Sequence, residues 1–286
     1  MKISNERFEL EIMNRGGEIQ SFFDKKKKIE YMWQGDDKHW SGKNPTLFPI
    51  ISGLVNHGYD VDGQHYEMKN HGFIRISDMI CIEETTNRIT MELKANEFTL
   101  EQYPYNFKFH TQYELIDNKI VITYIVLNKG KKPMPFSLGV HPGFNCPIEK
   151  DEKFSDYKLV FPMKENPTQL VLDLTKNNEP EQVKRSFEEI KLNYSDFEKY
   201  STLLYKDIVS PYVDLVGPKH SIRVSCYGFK YLAIWTPEKA PFICIEPWHG
   251  HGDFTKTPVE FSKREDTIIL APGKEWKTSY SIEILD

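Results

Sequence analysis

The 286-residue chain is long enough to bury a large apolar core without disulfides or a structural metal. Its net charge of -5 argues against a general role in binding nucleic acid. The four cysteines lack a CxxC spacing, which indicates reduced thiols rather than a disulfide framework or a zinc knuckle. No apolar run approaches the ~20 residues that span a bilayer, and the N-terminus lacks the apolar core of a signal peptide. We therefore expect a soluble, cytoplasmic protein with no membrane partner.

Short strand-like segments recur from the N-terminus onward, each ended by turn residues. Residues 8–13 alternate apolar and polar side chains before a turn at Gly16-Gly17. Residues 107–115 and 120–126 indicate a hairpin of period-two strands around Asp117-Asn118. The same pattern is found in the segments 80–83, 89–93, 221–224, 231–235, 267–270 and 279–284.

Helical patterns are sparse along the same path. One helical turn is predicted at residues 99–102 and another at either 186–190 or 195–200, and the polar stretch 165–185 is typical of an extended loop. No linker or repeat divides the chain. Many short strands at intervals of roughly 8–12 residues predict one all-β domain over residues 1–286, an antiparallel sandwich or barrel.

Three short segments interrupt the strand pattern and place ionisable side chains among glycine, proline and aromatic residues. They are Asn70-His71-Gly72-Phe73-Ile74-Arg75, Gly139-Val140-His141-Pro142-Gly143-Phe144-Asn145-Cys146-Pro147 and the run from Pro241 to Asp253. Loops held on a rigid sheet are where binding and catalytic side chains gather. These segments are therefore the candidates for a functional site.

Glu246 directly follows the apolar run 242–245, where a charge is costly unless it is paired or used. One interpretation is a carboxylate bonded to backbone amides or to Arg75, and the other is an acid–base group. Trp248 beside it offers a flat apolar face of the kind on which sugar rings rest.

His141 also ends an apolar run, and its ordinary pKa near 6.5 suits proton transfer at neutral pH. A turn histidine bonded to a carbonyl is the alternative. His249 and His251, followed by Asp253, have a spacing that could suit a metal, although a glycine-broken loop is weak support. No phosphate loop, nucleophile elbow or dinucleotide motif is present, so we expect neither a cofactor nor a resident metal.

The ordered motifs resemble the aldose 1-epimerase (galactose mutarotase-like) family, and within it the LacX-type branch. The elements that carry the resemblance are Asn44-Pro45-Thr46-Leu47-Phe48-Pro49, His71-Gly72-Phe73-Ile74-Arg75, Val140-His141-Pro142-Gly143-Phe144, Ile234-Trp235-Thr236-Pro237 and Ile245-Glu246-Pro247-Trp248. The resemblance implies a large twisted antiparallel β-sandwich, the galactose mutarotase-like supersandwich, with an open sugar cleft. It also implies an enzyme that interconverts the α and β anomers of a hexose or related aldose. We expect a monomer or weak homodimer.

The resemblance assigns roles to individual residues. Glu246 would be the base that takes the anomeric proton, and His141 the acid that protonates the ring oxygen. The implied substrate-binding residues are His71, Arg75, Trp235, Trp248, Asp207 and Phe48. The chain departs from its relatives at residues 52–56, where they usually carry a basic residue.

Two other functions remain open from the sequence. The missing basic residue favours a non-catalytic or regulatory carbohydrate-binding protein on the same fold. A metalloenzyme of β-barrel type would instead use His71, His141 and Glu246, with His249 or His251.

Overall fold

A computed structural model of the chain describes residues 1–171, 179–254 and 259–285, and strands dominate it. The strands are β1 (Lys2–Ser4), β2 (Phe8–Ile12), β3 (Ile19–Asp24), β4 (Ile29–Glu30), β5 (Thr46–Leu47), β6 (Gly58–Val61), β7 (Gln64–Glu67), β8 (Ile80–Glu84), β9 (Arg88–Lys94), β10 (Phe107–Ile116), β11 (Lys119–Asn128), β12 (Met134–Phe136), β13 (Leu138–Val140), β14 (Gly143–Asn145), β15 (Lys158–Glu165), β16 (Thr168–Val171), β17 (Glu181–Lys184), β18 (Phe187–Lys191), β19 (Thr202–Lys206), β20 (Tyr212–Val216), β21 (Ser221–Ser225), β22 (Tyr231–Trp235), β23 (Phe242–His249), β24 (Ile268–Leu270) and β25 (Glu275–Leu285).

Helices are few and short. In the described ranges they are α1 (Glu97–Gln102) and α2 (Tyr194–Tyr200), with single 3-10 turns at Val55–His57, Ile74–Ile76, Phe154–Asp156 and Phe261–Lys263. Asn96 caps α1, since its side chain accepts a hydrogen bond from the Thr99 backbone N–H at 3.1 Å. None of these helices has the length and apolar character needed to cross a membrane.

Two large antiparallel sheets form the sandwich. One has nine strands in the order β18-β15-β20-β21-β25-β11-β10-β9-β8. The other follows the order β17-β16-β19-β22-β23-β13-β5, with β14 added beside β23. Smaller sheets are formed by β1–β4, by β12 with β24, and by β6 with β7. The all-β antiparallel fold class predicted from the sequence is confirmed.

The predicted hairpin is β10 and β11, which pair in register from Phe107 opposite Asn128 to Ile116 opposite Lys119. From Phe107 to Leu115, side chains of β10 alternate between buried and partly buried positions, as the period-two sequence requires. One apolar cluster contains Ile122 of the nine-stranded sheet together with Ile234 and Ile245 of the other sheet. The main core therefore lies between the two sheets.

The structure corrects the sequence predictions at two places in the middle of the chain. Of the two alternatives for the second helical turn, residues 195–200 lie in α2. Residues 187–190 instead belong to β18, where Ile190 pairs with Leu159 and Phe187 packs on Phe161 at 5.1 Å between ring centroids. The stretch 165–185 is not an extended loop throughout, since β16 and β17 pair as a hairpin; its residues 172–178 lie outside the described part. In both places, pairing with distant strands outweighs weak local preference.

Strand β23 carries Glu246, and its two faces contact different parts of the protein. Ile243 and Ile245 pack in the main core, whereas Cys244 and Trp248 belong to smaller clusters on the outer face of the sheet. Alternation along a strand therefore places Glu246 on the outer face as well. The sequence indicated a strand ending before Glu246, but β23 continues to His249.

Candidate active site

The candidate site is built around Glu246 on the outer face of the eight-stranded sheet. In the neighbouring strand β22, Ala233 pairs with Glu246 and Trp235 pairs with Cys244. Ala233 is a small residue, so the carboxyl group has space on this side. The sheet thus fixes Glu246 between two rigid strands rather than on a loop.

His141 approaches Glu246 from the short connection between β13 and β14. Strand β14 pairs with β23 before Glu246 and β13 pairs with it after Glu246, so this connection passes beside the carboxyl group. His141 Nε2 lies 3.3 Å from Glu246 Oε2. Only 8% of His141 and 1% of Glu246 are exposed, so the pair is screened from bulk water.

Burial moves the pKa values of the two groups in opposite directions. It raises the pKa of Glu246 well above the ordinary 4.5, and the nearby Trp248 indole N–H partly opposes this rise. The indole nitrogen nevertheless has no hydrogen-bond partner among the described residues. Burial, assisted by His71 and Arg75, lowers the pKa of His141 well below 6.5. Both shifts favour the form in which the single proton shared by the pair lies on the carboxyl group over the form in which it lies on the imidazole.

His71 lies at the side of the pair in a left-handed backbone conformation, with φ 67°. Its Nδ1 accepts a hydrogen bond from the Ser52 backbone N–H at 3.2 Å, and its ring centroid lies 5.8 Å from that of His141. Burial and the charge of Arg75 lower the pKa of His71 to about 4. Neutral His71 with Nδ1 as acceptor has Nε2–H as its free donor.

Arg75 supplies positive charge to the same space. It lies in the 3-10 turn Ile74–Ile76, its side chain lines the cavity, and it has no ion pair or hydrogen-bond partner in the described part of the chain. An unpaired guanidinium with five donors is available to oxygen atoms of a bound molecule.

Three tryptophans enclose the pair. The Trp40 ring lies 4.8 Å from the His141 ring and 5.5 Å from the Trp235 ring, centroid to centroid. Trp235 meets His141 edge-on at 5.4 Å. Trp248 is 5% exposed and follows Glu246 on the same face of β23. Flat apolar rings beside polar groups suit a ligand with both C–H faces and hydroxyl groups.

A cavity of about 300 Å³ unites these side chains. Its lining residues are Trp40, Pro45, Ser52, His71, Arg75, His141, Thr202, Trp235, Glu246 and Trp248. Within the described ranges, His141 Nδ1, Glu246 Oε2 and Trp248 Nε1 are buried without a hydrogen-bond partner. Unsatisfied buried polar atoms are costly, so these atoms mark a space built to receive a polar ligand.

The structure brings together six of the eight residues that the sequence singled out for the site, and separates two from it. Phe48 is fully buried in the main core and does not line the cavity. Its ring centroid lies 4.8 Å from that of Phe109 and 5.5 Å from that of Phe136. Asp207 is exposed and follows the end of β19 that lies away from the cavity. Thr202, at the start of the same strand, lines the cavity instead.

Of the histidines in the metalloenzyme hypothesis, His249 and His251 lie away from Glu246. His249 lies on the opposite face of β23, stacked on Phe229 at 4.2 Å and bonded to Thr278 Oγ1 at 3.0 Å. His251 bonds the Gly252 carbonyl and stacks on Phe254.

Two groups of possible metal ligands occur among the described residues. They are His141 with Cys244 and Glu246, and His251 with Glu265 and Asp266. Burial keeps the Cys244 thiol protonated by raising its pKa, which makes it a poor ligand.

Sequence reasoning missed Trp40, Ser52 and Thr202. Trp40 lies in a polar loop four residues before the Asn44-Pro45 motif, and proximity to that motif was its only signal. Ser52 was noticed only as part of the segment 52–56 that lacks a basic residue, and Thr202 carries no signal in the sequence. The fold alone brings both residues to the cavity of Glu246.

Comparisons with known proteins agree on one family. A sequence model of the family described as Aldose 1-epimerase matches residues 1–283. The plasmid protein LacX of Lactococcus lactis subsp. lactis is 30% identical over 302 aligned residues, which cover 100% of this chain and 99% of LacX.

Solved structures give the same result for the fold. A galactose mutarotase related enzyme from Lactobacillus acidophilus superposes with a TM-score of 0.95 at 28% identity, covering 100% of this chain and 97% of the other. A galactose mutarotase-like protein from Lactobacillus casei has a TM-score of 0.92 at 28% identity, with 100% and 99% covered.

Proposed function

Because the chain belongs to the aldose 1-epimerase family, we propose that it interconverts the α and β anomers of a hexose or related aldose. The observation that carries the proposal is the buried pair of Glu246 and His141, 3.3 Å apart at the edge of a cavity of about 300 Å³. A carboxyl group and an imidazole so close together can serve two oxygens on the same carbon of one sugar. These are the anomeric hydroxyl and the ring oxygen, both bonded to C1.

The proposed reaction opens and recloses the sugar ring. Glu246 accepts the proton of the anomeric hydroxyl while His141 donates a proton to the ring oxygen. The bond from C1 to the ring oxygen breaks, its electron pair stays on that oxygen, and C1 becomes an aldehyde carbon. Rotation about C1–C2 exposes the other carbonyl face, and reclosure returns both protons.

The shared proton of the pair suits this cycle. The reactive form is the Glu246 carboxylate beside the His141 imidazolium, which has the same number of protons as the neutral form that burial favours. A substrate hydroxyl that donates to the carboxylate stabilises the charged form. The enzyme thus needs no net uptake or release of protons during the reaction.

The other cavity residues have binding roles in this proposal. His71 Nε2–H and the Arg75 guanidinium donate to sugar oxygens and stabilise negative charge that develops on them. Trp235 and Trp248 pack on the C–H faces of the ring, and Trp40 covers His141 from solvent.

Loss of either member of the pair tests the proposal. Glu246→Gln and His141→Asn should each slow the interconversion of freshly dissolved α-glucose or α-galactose by about a hundredfold or more, the usual scale for a general acid or base. Polarimetry or NMR measures the rate after the spontaneous rate is subtracted.

A second Glu–His pair in the same chain provides the matched control. Glu92 Oε2 and His110 Nε2 lie 2.9 Å apart on the nine-stranded sheet, outside the cavity. Glu92→Gln should leave the rate within about twofold of the wild type. Wild-type rates in both Glu246→Gln and His141→Asn would refute the assignment.

A non-catalytic carbohydrate-binding protein is the second candidate. The segment 52–56 contributes only Ser52 to the cavity lining, so no basic side chain enters from this side. Calorimetry that detects sugar binding by a protein without any acceleration of anomer exchange would favour this function over catalysis.

A further inference from the structure

His141 must carry a positive charge before it can donate a proton, and its surroundings oppose that charge. Burial is the largest cause, and the neighbouring His71 and Arg75 add to it, while a contact of His141 with its own backbone offsets only part of the effect. The Nε2 atom faces Glu246 at 3.3 Å, but Nδ1 is buried without a hydrogen-bond partner in the described part of the chain. A buried charge is costly unless neighbouring groups stabilise it.

Trp40 is the aromatic residue that lies flattest against this imidazole. The two ring centroids are 4.8 Å apart and the planes are inclined by only 31°, so the imidazole lies over the indole face. Trp235 and His71 meet the imidazole edge-on instead, at 77° and 86°. The face of an indole attracts a cation within about 6 Å of its centre, and more strongly where water is excluded.

The position of the Trp40 ring is fixed by the residues around it. The ring stacks on Phe242 at 5.6 Å and meets Trp235 at 5.5 Å between centroids. The backbone carbonyl of Trp40 accepts a hydrogen bond from Trp33 Nε1 at 2.9 Å. At Gly42, an added Cβ atom would lie 2.6 Å from a carbon of the indole, so the glycine leaves room for the ring. These contacts hold the indole face towards His141.

We propose that Trp40 stabilises the imidazolium form of His141 by a cation–π contact, and so favours the form of the pair that donates a proton to the ring oxygen. This inference rests on the proposed function, because only acid–base catalysis requires that form. Trp40 is then a positioning residue that acts through His141, in addition to shielding it from solvent.

Substitution of the ring tests this role by steady-state kinetics of anomer exchange. Trp40→Leu keeps an apolar side chain without a π face and should lower kcat and kcat/KM alike by about tenfold, within the range of a desolvated cation–π contact. Trp40→Phe keeps an aromatic face and should stay within about threefold of the wild type. Trp40→Met, which also lacks a ring, repeats the test if Trp40→Leu does not fold.

Trp235→Leu is the matched control, because Trp235 meets His141 edge-on and lines the same cavity. Its loss should act mainly on sugar binding and raise KM by about threefold or more, with a smaller change in kcat. Equal patterns of kcat and KM in Trp40→Leu and Trp235→Leu would assign Trp40 to sugar binding and overturn the inference.

The pH profile separates a cation–π contact from simple shielding. The titratable and charged groups around His141 are Glu246, Cys244, His71 and Arg75, and Trp40→Leu changes none of them. Loss of a cation–π contact makes His141 harder to protonate, so the acid limb of kcat/KM should move to lower pH by about 0.5–1 unit. Loss of shielding alone would admit water and move that limb to higher pH, towards 6.5.

Wild-type kcat in Trp40→Leu, equal losses in Trp40→Leu and Trp40→Phe, or an acid limb that moves to higher pH would each overturn the inference. A wild-type protein that exchanges no sugar would reject the proposed function separately. An NMR titration of the His141 ring then decides about Trp40 without catalysis. A lower His141 pKa in Trp40→Leu than in the wild type supports the contact, and an equal or higher pKa overturns it.

Discussion

Glu246 and His141 show how far individual residues can be interpreted from sequence. An acid after an apolar run and a histidine in a proline-glycine turn were recognisable as unusual, and the family resemblance paired them. Their separation of 3.3 Å, and the opposite directions in which burial moves their pKa values, come only from the fold.

The pH dependence of catalysis should reflect the single shared proton. The pair gains a second proton only well below pH 6.5, because the pKa of His141 is lowered, and loses its proton only well above pH 4.5, because the pKa of Glu246 is raised. We therefore expect the acid limb of kcat/KM for anomer exchange to lie well below pH 6.5, after the buffer-catalysed rate is subtracted. An inflection centred near pH 6.5 would mean that His141 titrates as an ordinary histidine.

Glu246 should also cost stability in a pH-dependent way. Its folded pKa lies above its unfolded value, so the folded state binds the proton more tightly, and the wild type loses stability as the pH rises from 4.5 through the folded pKa. Glu246→Gln does not ionise. Its Tm relative to the wild type should therefore be higher at pH 8 than at pH 5, measured by thermal denaturation.

Glu92→Gln serves as a control, because its stability should change with pH in the opposite direction to that of Glu246→Gln. Burial raises the pKa of Glu92, but hydrogen bonds from His110, Lys94 and Lys108 bring it below the ordinary value. The wild-type carboxylate therefore stabilises the fold above pH 4.5, and the variant should lose more Tm at pH 8 than at pH 4. The same trend in both variants would contradict the assignment for Glu246.

Strand β23 explains why element boundaries near the site were hard to predict. Pro247 indicates the end of a strand, since proline cannot donate to a ladder. Here β14 pairs with residues 242–244 and β13 with residues 248–249, so Pro247 lies where neither strand pairs. The interruption that accommodates the proline is also what admits His141. By contrast, β10 and β11 were predictable because their alternating pattern and turn are local.

The loop that holds His71 depends on a glycine that no other residue can replace cheaply. Gly72 has φ 69°, and a Cβ atom added there would lie 2.1 Å from the Phe48 carbonyl oxygen. Gly72→Ala should therefore destabilise the protein by more than the ~1–2 kcal/mol expected for left-handed backbone strain alone. It should also weaken sugar binding, because His71 must move.

Gly63→Ala is the matched comparison for this loop. Gly63 has φ 78° but open space around the added Cβ atom, so only the backbone strain remains. Denaturant unfolding of both variants gives the difference. Equal losses of stability would show that the contact with Phe48 is relieved without cost.

Convergence of distant segments accounts for what the sequence could not reveal about the site. Trp40, Ser52, Thr202 and Glu246 come from four separate regions, and no local pattern links them. The fold class was predictable because it depends on an alternating apolar and polar pattern that many segments repeat. The cavity depends on which strands become neighbours.

Buried neutral histidines should make the fold sensitive to acid. Burial lowers the pKa of His249 to about 4, so the unfolded chain takes up a proton between pH 6.5 and 4 while the folded chain does not. The difference corresponds to on the order of 3 kcal/mol of stability present above pH 6.5 and lost as the pH falls through about 4. Wild-type Tm should drop across this range, and His249→Gln should flatten that drop. An unchanged slope would show that His249 is protonated in the folded state.

The tryptophans around the pair have an optical consequence. Three of the five tryptophans in the chain, Trp40, Trp235 and Trp248, line the cavity. Indole emission responds to the polarity of its surroundings, and a sugar entering the cavity replaces water beside these rings. Occupancy of the site should therefore be visible in the intrinsic fluorescence of the unlabelled protein, even for a variant that has lost all activity.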